Sequence, residues 1–532
     1  MTVISTGGES PAAHYAAAQR SRAWARSFGE RWWLDVGIMA VVVFLFGAIR
    51  PLADPDLPMH LTVGEWILRH RTVPFVEPFS WTAYGEPYFA YSWLPQTIYY
   101  AIFSEFGHFG LRTLQGLIVL ASAWSALSLG RAADLRPSQG IMLAGLNLIV
   151  GAFFVAMLRP QSVLLITLPL IWAGFLRISR EGASWQTLVT LFIASAVTAN
   201  SHLFFPVTLA PAVLLWVYRG TSRRTALLGI GSIFAGWLAT PYALAWPRVF
   251  AHNFAPHIMM RPPSAITELQ PGFVVALQPP LGPMLLLVAA MLSLPWLLER
   301  SALQRRERLM AAVYFGLGLL AFGYAVRLFV IWWGLTILVA AWSIAHLTRD
   351  TVDEAPRVGF RLLALFACIT IITAEVVRTR DLRAEEGSTS HRVLPTFGAQ
   401  PAERLANWLI GNTQPDAHGR ILSAFAFGSY LTWRLPGYST SVDSRGLQPD
   451  SVTAAEAIVS ASDRDVPVGP WQSADLAIVP LRFRVAAVLD TASGWTRLKT
   501  VPGELAPHDS AALWVRDQWW SRRAGGLHDN PI

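Results

Sequence analysis

Residues 49–92 read IRPLADPDLPMHLTVGEWILRHRTVPFVEPFSWTAYGEPYFAYS and directly follow the first long apolar run of the chain. The stretch is too polar to span a bilayer, yet it is dense in aromatic residues. Its titratable side chains are Asp54, Asp56, His60, Glu65, Glu77 and Glu86. Acidic groups beside a membrane are costly unless they have a task or a partner. We therefore interpret this loop as the catalytic face of a polytopic membrane enzyme.

The composition points to a membrane protein. Of the 532 residues, 53% are hydrophobic and only 14% are charged, whereas soluble domains average about 25% charged residues. The net charge of +8 is spread singly or in small groups between apolar segments, which argues against nucleic-acid binding. The one cysteine, Cys368, excludes an internal disulfide and a cysteine-based metal or redox site.

Apolar segments recur along most of the chain. A spanning helix needs roughly 20 apolar residues, and eleven segments are predicted to span: 34–50, 110–130, 139–158, 162–176, 186–200, 203–218, 225–245, 281–298, 309–326, 328–346 and 360–377. Segments 92–106 and 246–280 are aromatic and broken by proline, which predicts an interfacial position. Arginines are about twice as frequent in alternate loops, which places the N-terminus in the cytoplasm. An odd number of spans then puts the C-terminal region and the acidic loop outside.

The composition changes from Thr379 onward. Short β-branched or apolar runs predict strands within 419–435, 438–445, 475–481, 495–504 and 511–517, and helices are predicted at 401–412 and 451–461. The predicted organisation is a cytoplasmic segment 1–33, a transmembrane domain 34–378 with an outer loop 51–109, and a small extracytoplasmic α/β domain 379–532.

Several short motifs occur in a fixed order. In the outer loop they are Asp54-Pro55-Asp56, His60-Leu61, Gly64, Trp66-Ile67, Pro74, Pro78-Phe79-Ser80, Thr82, Gly85 and Trp93-Leu94. Further on come Arg159-Pro160-Gln161, Asn200-Ser201-His202, Thr240-Pro241-Tyr242, Glu268-Leu269, Arg327-Leu328-Phe329, Gly428-Ser429-Tyr430-Leu431 and Val442-Asp443-Ser444-Arg445. Together they resemble the GT-C superfamily of polytopic glycosyltransferases, in particular the polyprenyl- or dolichyl-phosphate-sugar mannosyltransferases and aminoarabinose transferases.

The resemblance implies an inverting transferase that uses a sugar linked to a polyprenyl phosphate, with an acid of the first outer loop as base. Two positions depart from the pattern. Glu77 stands where the group has an aspartate before Pro-Phe-Ser, and Tyr91-Ser92 stand where it often has His-Glu. The second departure removes a charged and a titratable group from the expected site.

Asp54 and Asp56 are the candidate catalytic residues. A carboxylate can take the proton of an acceptor hydroxyl, and Pro55 biases Asp54 towards an extended backbone that holds it off a helix. The alternative for Asp54 is an acid in an ordinary turn. Asp56 precedes a helical pattern with Pro58 in its first turn, so it is either an N-cap or a catalytic or metal-contacting group.

The candidate acceptor or sugar pocket contains His60, Glu77, His202 and Trp93. His60 lies four residues after Asp56 and can contact it on one helix face. Glu77 or His202 could complete a divalent metal site, which normally needs three or more protein ligands, so a metal stays open. Trp93 could stack on sugar or belong to an interfacial aromatic belt. Glu65 is interpreted as a solvated helix residue.

Four arginines lie at predicted outer helix ends or in outer loops, against the cytoplasmic bias of the others: Arg159, Arg327, Arg261 and Arg248. A guanidinium matches phosphate oxygens, so we expect these arginines to bind the donor phosphate. The alternative is snorkelling or pairing with loop acids.

The sequence thus predicts a bacterial inner-membrane glycosyltransferase acting on its extracytoplasmic face. Its expected partners are the bilayer, a polyprenyl-phosphate-sugar donor and a lipid, glycan or protein acceptor. The rival hypotheses are a transporter or flippase for a lipid-linked glycan, which should show midplane charges and inverted repeats, and a non-catalytic member that supports envelope-polysaccharide assembly.

Overall fold

The computed structural model describes residues 32–49, 52, 54–155, 158–218, 220–259, 303–324, 328–347, 400–445, 470–503 and 510–524. Predicted spans 281–298 and 360–377, the predicted helix 451–461, Arg261 and Arg327 lie outside these residues.

Helices make up the described part of residues 32–347. The α-helices are α1 (Trp32–Ala48), α2 (Leu57–His70), α3 (Trp93–Ala132), α4 (Pro137–Val155), α5 (Leu164–Glu181), α6 (Trp185–Ala199), α7 (Leu214–Val217), α8 (Arg223–Leu238), α9 (Trp246–Met259), α10 (Arg305–Tyr324) and α11 (Phe329–Leu347). Three 3₁₀ segments lie between them, at Pro160–Val163, Phe205–Val213 and Ala243–Ala245. The nine predicted spans within the described residues all fall mainly on helical segments.

Three helical stretches in the described residues are long and apolar enough to cross a membrane by length and composition: Trp93–Ala132, Pro160–Glu181 and Phe329–His346. A fourth results if Arg223–Leu238 and Ala243–Asn253, which meet at 91°, are counted as one broken span. Helix α3 takes in both the predicted interfacial segment 92–106 and the predicted span 110–130. It bends at Gly107, whose φ of 56° combined with a ψ of −145° only glycine adopts readily.

Close helix contacts hold the apolar core. The Trp172 indole on α5 donates to the carbonyl oxygen of Gly334 on α11 at 2.7 Å, and Leu168 packs where a Cβ on Gly334 would lie. Small residues at such contacts let helix backbones approach closely in a membrane, where packing replaces the hydrophobic driving force.

Residues 400–445, 470–503 and 510–524 form an α/β unit. Its five-stranded mixed sheet has the order β2-β1-β3-β5-β4, with β1 (Gly419–Ser423), β2 (Tyr438–Thr440), β3 (Leu476–Pro480), β4 (Trp495–Val501) and β5 (Ala511–Arg516). The first three strands in this order run parallel, and β5 is antiparallel to both β3 and β4. Its helices are α12 (Gln400–Asn412), α13 (Phe425–Arg434), α14 (Arg484–Thr491) and α15 (Asp517–Arg523).

The prediction of strand throughout 419–435 is wrong beyond β1. Residues Phe425–Arg434 form helix α13, with Phe427, Tyr430 and Leu431 buried. These three residues follow helical spacing, but the run is short, apolar and aromatic, and such a run cannot be assigned by periodicity alone. Packing against α2 and α12 favours the helix.

Candidate functional site

Helix α2 carries the acidic loop onto the start of α3. Leu57 and Leu61 are fully buried on its inner face. Gly64 lies so close to the backbone of Gln96 that a Cβ would collide with the Gln96 carbonyl. This close approach holds the middle of α2 against the first turn of α3, and Asp54 lies just before α2.

Asp54 forms a buried ion pair with Arg159. The Arg159 Nε lies 3.2 Å from both carboxylate oxygens of Asp54, and its Nη2 donates to Oδ1 at 3.1 Å. Asp54 is fully buried and Arg159 nearly so. Leu158, the preceding residue, adopts a left-handed φ of 45° and is buried. Such a conformation costs of order 1–3 kcal/mol, and it persists only where the surroundings over-determine it.

Asp56 lies next to this ion pair, on its more exposed side. It occupies the N-cap position of α2, one of the two alternatives from the sequence, but its side chain makes no capping hydrogen bond. Instead, Asp56 Oδ2 lies 3.7 Å from Arg159 Nη2, and its backbone N–H donates to Asp54 Oδ1 at 3.2 Å. The Asp56 side chain is 32% exposed. We call Asp54, Asp56 and Arg159 the open cluster.

Burial and the Asp56 charge raise the pKa of Asp54 to about 7, while Arg159 opposes the rise. Burial and the positive charge of Arg159 lower the pKa of His60 to about 3. Near neutral pH the site therefore contains a carboxyl group poised between its two protonation states and a neutral imidazole. A perturbed carboxyl of this kind can act as a general base.

His60 does not contact the Asp56 side chain through any bond that the structure describes; its Nδ1 lies 3.2 Å from Gln96 Nε2. Gln96 and Gln161 were not predicted as site residues. Both are buried, and Gln96 Oε1 and Gln161 Nε2 have no hydrogen-bond partner among the described residues. Only the Arg159-Pro160-Gln161 motif hinted at Gln161, and nothing local marked Gln96.

Trp93 begins α3, and His202 lies three residues beyond the end of α6. The Trp93 indole donates to Asn200 Oδ1 at 2.6 Å, so its polar edge holds two helix ends together. His202 is buried, its Nδ1 accepts from the Phe204 N–H at 3.2 Å, and its ring lies 6.3 Å from that of Tyr91.

Glu77, predicted to line the acceptor or sugar pocket, lies in a second cluster of charged side chains. Its carboxylate accepts from Arg445 Nη1 at 2.6 Å and Nη2 at 2.9 Å, and from the backbone N–H groups of Phe79 and Ser80 at 2.7 and 2.8 Å. Arg445 also donates to both oxygens of Asp443. We call Glu77, Asp443 and Arg445 the closed cluster.

Two further predicted residues, Arg248 and Glu65, lie in the described part of the chain. Arg248 lies exposed on α9. Glu65 is not solvated as predicted: it is 7% exposed and pairs with Arg69 at 2.6 Å, because α2 is held against α3 along this face. No three His, Cys, Asp or Glu side chains of the described ranges come together as metal ligands.

Comparison with known proteins finds likeness in structure rather than in sequence. No sequence family matches the chain, and no curated protein matches it. The crystal structure of ArnT from Cupriavidus metallidurans bound to undecaprenyl phosphate superposes with a TM-score of 0.56 at 14% identity, over 95% of this chain and 100% of that one. The chain has the GT-C fold.

Two further GT-C structures agree. The apo oligosaccharyltransferase of Archaeoglobus fulgidus aligns with a TM-score of 0.55 at 11% identity, over 86% of this chain and 70% of that one. The mycobacterial arabinofuranosyltransferase AftD aligns with a TM-score of 0.55 at 13% identity, over 91% of this chain but only 41% of its own length. The predicted resemblance to this superfamily is confirmed at the level of the fold.

Proposed function

We propose that this protein is a membrane glycosyltransferase that moves a sugar from a polyprenyl-phosphate donor to a lipid, glycan or protein acceptor. Two observations support the donor class. Archaeal AglB and ArnT, which have this fold, were solved with dolichol phosphate and undecaprenyl phosphate, respectively. In addition, the open cluster joins a carboxyl group on the loop that follows α1 to an arginine between α4 and α5.

The proposal depends most on the burial, the ion pair and the raised pKa of Asp54. Its carboxylate is fully buried, held by Arg159, and has a pKa raised to about 7. A base of this pKa both exists deprotonated near neutral pH and accepts a proton readily, which is the balance that general-base catalysis needs.

The proposed step is an inverting displacement. The acceptor hydroxyl oxygen attacks the anomeric carbon as the bond from that carbon to the phosphate oxygen breaks. The hydroxyl proton passes to Asp54, and the polyprenyl phosphate leaves with the bonding electrons. Negative charge grows on the leaving phosphate, and a guanidinium stabilises such charge where water is excluded. We assign this role to Arg159, with Arg327, Arg261 and Arg248 as further donors.

The proposed location is the outer face of a bacterial inner membrane. The arginine bias puts residues 51–109 and the α/β unit on that side, with ten of the eleven predicted spans between them. The proposal gives no step to a divalent metal, so chelation with EDTA is a separate arm of the assay: an undiminished rate fits the metal-free step, and loss restored by Mg²⁺ or Mn²⁺ would add a metal to it.

The test is sugar transfer in membranes from a panel of radiolabelled polyprenyl-phosphate sugars, with wild type compared with Asp54→Asn. The amide keeps the shape of the side chain and removes the base. Asp134→Asn is the matched control, because Asp134 forms an exposed ion pair with Arg180 and its left-handed φ of 59° suits asparagine.

We expect transfer by the wild type and the control, and a loss of 10²–10⁴-fold in Asp54→Asn at equal expression, the typical contribution of a general base. Equal transfer by Asp54→Asn would remove Asp54 from the mechanism. No transfer by the wild type would overturn the proposal and favour lipid-linked glycan transport or a non-catalytic assembly role.

A further inference from the structure

The acidic loop and the α/β unit are joined through the edge of the sheet. Ser80 forms an isolated parallel bridge with Thr440 on β2, the strand at one edge of the sheet. The Trp81 backbone N–H donates to the Thr440 carbonyl at 3.1 Å, and its indole donates to the Ile421 carbonyl at 3.2 Å. The loop thus pairs with an edge that would otherwise leave backbone groups unpaired.

The closed cluster lies beside this bridge. Glu77 is 1% exposed and Asp443 is 3% exposed. The Arg445 side chain is 9% exposed and uses its fork on both carboxylates. The rings of Phe79 and Tyr88 lie 4.9 and 5.0 Å from the guanidinium carbon, within cation–π range. A charge buried this deeply is stable only while its partners stay in place.

A second contact brings the α/β unit to the open cluster itself. Trp433 on α13 packs edge-on against Tyr100 and Phe103 of α3, at 6.2 and 5.5 Å between ring centroids. It belongs to the same apolar cluster as Leu57 and Leu158. Leu57 lies three residues after Asp54 and Leu158 directly precedes Arg159, so Trp433 shares an apolar cluster with a neighbour of each member of the ion pair.

We propose that Arg445 is a positioning residue for sugar transfer: by holding Glu77 it fixes the outer loop on the sheet edge and so sets where Asp54 stands. Arg445 acts through the loop and touches no substrate. The α/β unit is then a working part of the transfer site. This inference rests on the proposed transfer reaction for its kinetic test, and on the docking contact alone for its structural test.

The kinetic arm compares Glu77→Gln, Arg445→Lys and Arg445→Gln with wild type. Glu77→Gln is the mildest change, because it removes one of two buried carboxylates and leaves Arg445 paired with Asp443. We expect kcat to fall by roughly 10–100-fold in Arg445→Gln with the donor KM changed less than about threefold, since displacement of a catalytic group by about 1 Å costs rate rather than binding. Arg445→Lys keeps the charge without the fork and should lie between Arg445→Gln and wild type.

Matched controls come from exposed positions nearby. Glu86→Gln alters an exposed acid of the same loop, and Arg497→Gln alters an exposed ion pair with Asp490 on the same α/β unit. Both should keep the wild-type kcat, which separates loss of the closed cluster from a general effect of changing a charge in this region.

The structural arm uses the bridge between loop and sheet. In a Cys368→Ala background, Ser80→Cys with Thr440→Cys places two thiols on neighbouring backbones about 5 Å apart, within disulfide reach. We expect the disulfide to form rapidly with Arg445 present and several-fold more slowly in Arg445→Gln. Once formed, it should restore most of the lost kcat, and reduction with dithiothreitol should remove that gain.

Two results overturn the inference while wild-type transfer is intact: an unchanged kcat in Arg445→Gln, or a complete disulfide in that variant that restores nothing. Equal rates of disulfide formation with and without Arg445 would refute the docking role whatever the activity. Absence of wild-type transfer counts against the proposed reaction and hence against positioning, while the disulfide rates still decide whether Arg445 holds the loop.

Discussion

The molecule contains two clusters of the same composition, two carboxylates and one arginine, built in different ways. In the open cluster, Arg159 grips Asp54 closely but lies 3.7 Å from Asp56, whose side chain is 32% exposed. In the closed cluster, Arg445 makes hydrogen bonds of 2.6 to 2.9 Å to both acids, all three side chains are buried, and aromatic rings flank the guanidinium.

The open cluster is suited to proton transfer, and the closed cluster is suited to holding two segments together. When burial and a neighbouring negative charge outweigh the positive partner of a carboxyl group, its pKa is raised, as for Asp54. Such a group can exchange a proton near neutral pH. A carboxylate that receives a full guanidinium fork and backbone N–H groups, as Glu77 does, is held firmly in one position. Under our proposals, the same residue types form a reacting site in one cluster and a structural joint in the other.

The largest expected effect comes from the same substitution made in each cluster. Asp54→Asn should reduce transfer by 10²–10⁴-fold, because it removes the base. Asp443→Asn should reduce it by less than about tenfold, because the amide oxygen can still accept from Arg445 and the loss acts only through position. Initial transfer rates in membranes at matched expression measure both, and equal losses would erase the distinction between the clusters.

Stability should show the reverse order. Arg445→Gln leaves two buried carboxylates unpaired and should cost about 3–5 kcal/mol. Arg159→Gln should cost roughly half of that, because Asp54 can take up a proton near pH 7 and Asp56 can reach water. Unfolding of the purified protein in detergent compares the two; a larger loss for Arg159→Gln would contradict the open character of its cluster.

Transfer should depend on pH through Asp54. The base must be deprotonated, and its pKa is raised to about 7, so kcat should fall about tenfold for each pH unit below 7 and level off above it. His60, with a pKa lowered to about 3, should not contribute, and His60→Gln should leave the midpoint in place. A midpoint near 4 in the wild type, the ordinary value for an aspartate, would contradict the raised pKa of Asp54.

The smallest effect should come from Asp56. Its negative charge raises the pKa of Asp54, so Asp56→Asn should move the acidic limb to lower pH. The shift is small because Asp56 is partly exposed and solvent screens its charge. The ratio of rates at pH 6 and pH 8 should rise roughly two- to threefold; a shift in the opposite direction would mean that Asp56 does not act through Asp54.

Asp54 and Arg159 were predicted separately from the sequence, Asp54 as a possible base and Arg159 as a possible ligand of the donor phosphate. The structure adds that they face each other across 105 positions of chain. For Asp56 the sequence left open an N-cap of α2 or a catalytic or metal-contacting group; it occupies the cap position, but its side chain makes no capping hydrogen bond and lies 3.7 Å from Arg159 Nη2. A capping preference is worth about 1 kcal/mol, so a charged partner can override it.

Glu77 shows where such reasoning stops. Its place before Pro78-Phe79-Ser80 suggested a role in the pocket, and nothing within the loop identified Arg445, which lies 368 residues away. Asp443 and Arg445 belonged to a quoted motif, but a motif does not specify the partner of its side chains. Glu65 was misjudged for the same reason, since its burial depends on how α2 meets α3.

The apolar segments and short motifs of the sequence predicted the described helical segments, the acidic loop between α1 and α3 and most of the strands of the α/β unit. The order of those motifs also predicted the resemblance to the GT-C fold. Periodicity and apolar length act over a few residues, and they state which side chains need burial. Only the tertiary structure decided that α13 is a helix, that the loop pairs with β2, and which acid each arginine holds. Those choices depend on distances between segments far apart in sequence, where desolvation of each charge must be matched by a partner brought close by the fold.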